Sequence, residues 1–247
     1  MTHRYGLIKD TPNLADRLYH RAAPRSAVLP PTVDLSPWLG PVKNQEQFGC
    51  CTGEAISGLR EWWLKKEPDH PFVTLSPLYL YAWERVAEGT FPRDAGAQPR
   101  DGMIALQTHG VCPDALDPLS ETDLVTMPSA AANTAAQVYR LGVPHRVSGV
   151  PDLLQALANG HPVVAGIPVY ASFESAEVAA TGAVPMPQPG EAVLGGHAVL
   201  IYGYTMGPQL VQVRNSWGPA WGLQGNFTLP FQYVAQLAWD LWTLIPV

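Results

Sequence analysis

Apolar side chains recur with a helical period in the first half of the chain. Between Ala55 and Trp63 they lie one, three or four residues apart, so residues 51–66 predict an amphipathic helix. Residues 75–89 predict a second helix, with Ser76 as its N-cap. Further helices are predicted over residues 100–110, 129–142 and 151–160. The first half of the chain is therefore expected to be mainly helical.

The pattern changes in the second half to short apolar segments rich in β-branched and aromatic residues. These segments cover residues 162–169, 197–204, 209–217 and 239–247, and glycine or proline turns separate them. Such segments are typical of buried strands. The chain thus predicts an α+β fold, in which a helical lobe and a β-rich lobe meet at a cleft.

The composition narrows the possible functions. The chain has 247 residues and a net charge of −6, which gives no support to nucleic-acid binding. Its apolar runs are shorter than the roughly 18 residues of a membrane span, and residues 1–10 lack the apolar core of a secretory signal. We therefore expect a cytoplasmic protein without a membrane partner. No HExxH, paired CxxC or glycine-rich phosphate loop occurs, so no metal or cofactor is expected.

The charge is distributed unevenly along the chain. Residues 1–28 contain five basic and two acidic residues, a net charge of +3, which leaves −9 for the remainder. In this segment Leu14, Leu18 and Tyr19 lie at helical spacing, as if to present one face to the rest of the protein. We expect the segment to dock across or beside the cleft. It is either an inhibitory extension or a tail that only adds stability.

One group of side chains suggests nucleophilic chemistry. Cys51 begins the first predicted helix, where backbone N–H groups and the helix dipole favour a thiolate. A thiolate nucleophile requires a general base, and that base requires a third group to orient it. His197 opens an apolar strand after two glycines, and Asn215 ends the next strand. Adjacent antiparallel strands would bring the Asn215 amide beside the His197 ring, where it can fix which ring nitrogen is protonated.

Four motifs together resemble the papain-like cysteine peptidases. They are PVKNQ at 41–45, the spacing of six from Gln45 to Cys51, GGHAV at 195–199 and NSWGPAWG at 215–222. The resemblance covers roughly residues 32–246. The segments LSPLYLY and VPMPQPGE are more similar to bacterial members of the family.

This resemblance implies a papain-like fold and a catalytic role for each motif residue. Cys51 would be the nucleophile, His197 the base and Asn215 its orienting partner. Gln45 would donate to the oxyanion, together with the backbone N–H of Cys51, and Trp217 would shield the Asn215–His197 pair. The peptidase domain would span 32–247, with a helical left lobe over about 38–148 and a β-barrel-like right lobe over about 149–247. Residues 1–31 would form an N-terminal extension, possibly a short pro-segment.

The sequence also departs from the family pattern. Phe48 stands where most relatives have a disulfide cysteine, Thr52 replaces an aromatic residue, and Cys50 is interpreted as a small filler. Gly102 and Gly196 suggest an open substrate subsite.

The predicted function is hydrolysis of peptide or protein substrates through a thioester acyl-enzyme. Two alternatives remain open: a catalytically weak homologue that binds peptides or a partner protein, and an acyltransferase or peptide ligase.

Overall fold

The computed structural model of the protein describes residues 3–24, 26 and 28–246. Within these ranges the α-helices are α1 (Tyr19–Ala22), α2 (Cys51–Leu64), α3 (Pro77–Ala87), α4 (Pro99–Thr108), α5 (Glu121–Leu124), α6 (Ala130–Ala136), α7 (Gly149–Ala158), α8 (Ala176–Thr181) and α9 (Phe231–Leu237). Helices α2, α3, α4 and α7 confirm four of the predicted helices. The helix predicted over 129–142 is shorter, because α6 ends at Ala136 and a 3-10 turn follows at Gln137–Tyr139. Ser76 caps α3 as predicted, accepting from the backbone N–H of Tyr79 at 2.9 Å.

The strands of the described chain form one antiparallel sheet. They are β1 (Thr32–Asp34), β2 (Val143–Arg146), β3 (Val163–Tyr170), β4 (Val193–Thr205), β5 (Leu210–Arg214), β6 (Asn226–Pro230) and β7 (Asp240–Ile245). Their order is β2-β7-β3-β4-β5-β6, and β1 pairs with β4. The predicted α+β class is confirmed. Strands β2 and β6 lie at the two ends of this order and do not pair with each other. The sheet is therefore open and is not a closed barrel.

Both faces of the sheet are covered, which explains why the strands read as continuous apolar runs. On β4, Val199 and Ile201 belong to one apolar cluster, which contains side chains of α7 and α9. The alternate residues Ala198 and Leu200 belong to a second cluster, which contains side chains of α2 and α4. Helix α2 therefore lies directly against β4, the strand that contains His197.

The N-terminal segment docks on the protein, but through different residues than predicted. Tyr19 is fully buried, whereas Leu14 is fully exposed, so the expected Leu14–Leu18–Tyr19 face does not form. Leu18 forms a bridge with Arg146, and further docking contacts lie earlier in the chain, where Leu7 forms a bridge with Ala97 beside α4. On its other side the backbone N–H of Leu7 donates to the carbonyl of Gly196 in β4 at 3.1 Å. The segment thus crosses the boundary between the helices and the sheet.

Two further findings concern the whole of the described chain. None of its helices is both long and apolar enough to span a bilayer. All three cysteines are free and buried, and Phe48 packs with Cys50 and Tyr81 in a small apolar cluster. Phe48, which stands where the resemblance would place a disulfide cysteine, thus makes an apolar contact instead.

Candidate active site

The Cys51 thiol lies at the junction of the two halves of the fold. Cys51 is the first residue of α2, and Cys50 is its N-cap residue. The Cys51 sulfur accepts hydrogen bonds from the backbone N–H groups of Ala198, in β4, and Gly6, in the N-terminal segment. Ala198 directly follows His197, so the strand that contacts the predicted nucleophile also carries the predicted base. Within the part of the chain that the structure describes, the Nδ1 of His197 has no hydrogen-bond partner.

The His197 and Asn215 side chains meet as expected from adjacent antiparallel strands. Asn215 follows the last residue of β5, and the β4–β5 register pairs Leu200 with Arg214. The Nε2 of His197 lies 2.8 Å from the Oδ1 of Asn215. The same oxygen accepts from the backbone N–H of Ser216 at 2.8 Å, which fixes the orientation of the amide. With Nε2 donating to Asn215, Nδ1 is left as the basic nitrogen of the ring.

Trp217 covers the His197 side of the site. Its indole stacks on the His197 ring, with 4.8 Å between ring centroids and 23° between planes. Its exposed fraction is only 6%. An indole in this position keeps water away from the His197–Asn215 hydrogen bond, which strengthens that bond.

The Gln45 amide is held rigidly at the other side of Cys51. Its Oε1 accepts from the hydroxyl of Ser216 at 2.7 Å, and its Nε2 donates to the carbonyl of Phe48 at 3.0 Å. The same Nε2 donates to the carbonyl of Arg4 in the N-terminal segment at 3.1 Å. The Arg4 carbonyl thus already accepts a hydrogen bond from the side-chain N–H of Gln45. Sequence reasoning gave Ser216 no role, although it lies within the NSWG motif.

The N-terminal segment fills the space between these side chains and the cleft walls. The carbonyl of Gly6 accepts from the backbone N–H of Ala97 at 2.8 Å, and the N–H of Ile8 donates to the carbonyl of Ala97 at 2.9 Å. The ring of His3 stacks on Trp217 at 4.0 Å, and the hydroxyl of Tyr5 donates to the carboxylate of Glu174.

Leu7 occupies an apolar pocket and belongs to the same apolar cluster as Cys51. It is 6% exposed, and its Cδ2 lies 2.9 Å from the position a Cβ would take on Gly166. A Cβ on Gly196 would contact the Trp239 ring and, at 2.7 Å, the carbonyl oxygen of Leu7. Gly196 therefore lies on the cleft wall, and the segment covers it.

Burial determines the charge of both reactive groups. It raises the pKa of the Cys51 thiol to about 12, because a thiolate would be desolvated there. It lowers the pKa of the His197 ring to about 4, against the opposing effect of the Asn215 hydrogen bond. With the segment in place, both side chains are therefore neutral at pH 7.

Behind Cys51, a polar contact replaces the aromatic packing of relatives. The hydroxyl of Thr52 donates to the Oε2 of Glu84 at 2.5 Å, and burial raises the pKa of Glu84 to about 8. A Cβ on Gly102 would overlap Glu84 and Ile56. The absence of a side chain at Gly102 thus makes room for the buried Glu84 carboxyl, and the subsite suggested there stays a prediction. Glu84 is not recognisable from sequence, since it lies in a helix among apolar residues.

The described residues contain no group of three or more His, Cys, Asp or Glu side chains that could hold a metal ion. The chemistry available at this site is that of a thiol beside an oriented imidazole.

Comparison with known proteins identifies the family. The sequence model of the papain family cysteine proteases matches residues 29–235. The chain belongs to the papain family. It is a cysteine peptidase and therefore a hydrolase.

The proteins similar to this chain include a viral and a bacterial protein, and a plant protein shares the fold. A peptidase C1-like protein of Acanthamoeba polyphaga mimivirus is 34% identical over 215 residues, which cover 81% of this chain and 68% of that protein. Xylellain, a cysteine protease from Xylella fastidiosa, is 33% identical with a TM-score of 0.91, over 98% of this chain and 96% of that one. The proform of the ragweed protease Amb a 11 is 21% identical, with a TM-score of 0.74 over 93% and 70% of the two chains. The papain-like fold and the resemblance to bacterial members are thus confirmed.

Proposed function

We propose that this papain-family peptidase cleaves peptide bonds with Cys51 as nucleophile, His197 as general base and acid, and Asn215 as its orienting partner. The Nδ1 of His197 takes the thiol proton while the Cys51 sulfur attacks the peptide carbonyl carbon. His197 then gives that proton to the leaving amine, and a thioester remains on Cys51. Water attacks the thioester, releases the acid product and restores the thiol.

Gln45 stabilises the charge that develops on the carbonyl oxygen. Its Nε2 and the backbone N–H of Cys51 act as the two donors to the oxyanion. The observation that supports this most directly is the hydrogen bond of 3.1 Å from Gln45 Nε2 to the carbonyl of Arg4. A polypeptide backbone already lies across Cys51 with one of its carbonyls on this donor.

We further propose that residues 3–16 keep the enzyme latent, as a short pro-segment would. From the segment, the backbone N–H of Gly6 faces the Cys51 sulfur. The segment thus occupies the space beside the nucleophile that a substrate would need, and the burial of Cys51 keeps its thiol protonated. Peptide or protein substrates gain access when the segment moves away. No contact among the described residues favours a peptide ligase or a catalytically weak binding protein over a hydrolase.

Labelling with a cysteine-directed epoxide inhibitor tests this assignment. The experiment uses the full-length chain carrying Gly6→Ala, whose added Cβ would overlap the Gly49 carbonyl oxygen and so displace the segment. Mass spectrometry should find one adduct, on Cys51, and Cys51→Ala should abolish it. Cys50→Ser is the matched control, because Cys50 is buried at the N-cap and its sulfur faces Glu54. Loss of labelling and activity in Cys50→Ser, with the fold retained, would contradict the choice of Cys51.

A further inference from the structure

Two arginines lie where the N-terminal segment leaves the Leu7 pocket. Arg100 belongs to α4 and Arg146 to β2, so they approach from the two halves of the fold. Arg100 holds Asp16 of the segment through two parallel hydrogen bonds of 2.8 Å. Arg146 holds Asp16 at 2.8 Å and Asp10 at 2.6 Å. Both segment carboxylates are thus bound by arginine side chains of the protein body.

The Asp10 carboxylate occupies a site with further donors. The Nε1 of Trp242 donates to it at 2.7 Å, and the backbone N–H of Arg100 donates at 3.1 Å. Asp10 is 5% exposed and Trp242 is 2% exposed. Convergent donors from an arginine, an indole and a backbone amide form a pocket shaped for a carboxylate.

The departure of the segment leaves this pocket without its anions. Among the described carboxylates that pair with Arg100 and Arg146, Asp240 alone belongs to the protein body; it binds Arg146 at 3.0 Å. Two guanidinium groups then share one carboxylate, and the indole N–H loses its partner. Buried donors without partners are costly, so a ligand that supplies a carboxylate is favoured there.

The pocket is continuous with the cleft that a substrate would occupy. A Cβ on Gly166 would lie 2.9 Å from Leu7 and 3.5 Å from the Cβ of Asp240. Asp240 therefore borders both the Leu7 pocket and the arginine pair. Asp10 follows Leu7 by three residues, and an extended chain covers three residues in about 10 Å.

We propose that Arg100 and Arg146 select substrates with an acidic side chain. The acidic residue of the substrate lies about three positions from the substrate residue that fills the Leu7 pocket, on the side away from Cys51. It takes the place of Asp10 once the segment has left. This inference rests on the proposed peptidase function and adds a substrate class to it.

Paired peptides test the proposal in the full-length chain carrying Gly6→Ala, a substitution that displaces the segment because its Cβ overlaps Gly49. Fluorogenic peptides with leucine for the Leu7 pocket carry either Glu or Gln at one position, two to four residues further from the scissile bond. The measured quantity is the ratio of kcat/KM for the Glu and Gln peptides. The fraction of open enzyme cancels in this ratio. We expect about a tenfold preference for Glu at one position, the effect of one charge-assisted pair.

Arginine variants identify the side chains responsible. Arg146→Gln and Arg100→Gln should each lower the ratio toward one, while Arg140→Gln, at an exposed position, should leave it unchanged. Arg146→Lys keeps the charge without the planar fork and should give an intermediate ratio, which provides a test if a glutamine variant does not fold.

Two results would overturn the inference while leaving the peptidase function intact: cleavage of both peptides at equal efficiency at every position, or a Glu preference that persists in the arginine variants. Failure to cleave any peptide, together with failure of epoxide to label Cys51, would refute the proposed function itself.

Discussion

Gly6 lies so close to Gly49 that a Cβ atom on Gly6 would overlap the Gly49 carbonyl oxygen. The opposite wall is equally tight, because a Cβ on Gly96 would overlap the carbonyl oxygen of Gly6. A Cβ on Gly195 would likewise overlap the Tyr5 side chain. The segment therefore passes over Cys51 through a channel that glycines make wide enough for a backbone. Its fit depends on the absence of a side chain at position 6.

Gly6→Ala should release the segment and activate the enzyme. Overpacking of a close contact costs about 1–3 kcal/mol, which corresponds to a rise of roughly 5- to 150-fold in the open fraction. The rate of epoxide labelling of Cys51 and the kcat/KM for a small peptide should both rise by about this factor. Gly207→Ala is the matched control, since no atom lies within 4 Å of its Cβ position. Unchanged labelling in Gly6→Ala would mean that the segment does not limit access to Cys51.

The sequence predicted the elements that carry the site because their signals are local. The helix from Cys51 and the strand from His197 follow from apolar spacing, and the Asn215–His197 contact follows from the pairing of neighbouring strands. The anchor of the segment was not predictable in this way. Asp10 and Arg146 are 136 positions apart, and neither lies in a periodic pattern that points to the other.

Two details show what a local pattern leaves open. Leu14 has helical spacing to Leu18, but Leu14 is fully exposed, and the buried apolar contacts of the segment come from Leu7 and Tyr19. At Gly102, the space beside the glycine is filled by Glu84, whose carboxyl accepts from the Thr52 hydroxyl. The sequence shows a small residue, but only the fold shows which neighbour uses the room.

Removal of the Gln45 amide should slow the chemical step. In the Gly6→Ala background, Gln45→Ala should lower kcat by about 10²–10³, the usual effect of losing one oxyanion donor. Gln47→Ala is the control, because Gln47 is exposed and its amide contacts Glu121 at the surface. An unchanged kcat with a raised KM would indicate that Gln45 only helps to bind substrate.

His197 and Asn215 should differ in the size of their effects. His197→Ala removes the group that transfers the proton, whereas Asn215→Ala leaves it but frees the ring to rotate. We therefore expect kcat/KM to fall further in His197→Ala than in Asn215→Ala, measured in the Gly6→Ala background with a small peptide. The reverse order would contradict the proposed roles.

The attachment of the segment should weaken as the pH rises through about 6. Burial, together with the neighbouring Asp240 carboxylate, raises the pKa of Asp10 from its ordinary 3.8 to about 6, although Trp242 and Arg146 oppose the shift. A raised pKa in the docked state means that docking favours protonated Asp10, because three carboxyl groups, those of Asp10, Asp16 and Asp240, then share the two arginines. A substrate carboxylate would share the arginines with Asp240 alone, since Asp16 leaves with the segment. The stabilisation is therefore fully present below about pH 4 and is lost as the pH rises through 6. Over the whole range it amounts to about 3 kcal/mol.

Asp10→Asn isolates this effect, because asparagine stays neutral at every pH. The quantity compared is the free energy of unfolding of the variant minus that of the parent. We expect this difference to increase by about 2–3 kcal/mol between pH 4 and pH 8, because only the parent loses stability over this range. The shift with pH is the measured quantity, since the loss of the Arg146 ion pair adds an offset that does not titrate in this range. Asp69→Asn, at an exposed position, is the control and should show no such shift. A relative stability that falls with rising pH would mean that Arg146 and Trp242 outweigh burial, and that Asp10 is held as a carboxylate throughout.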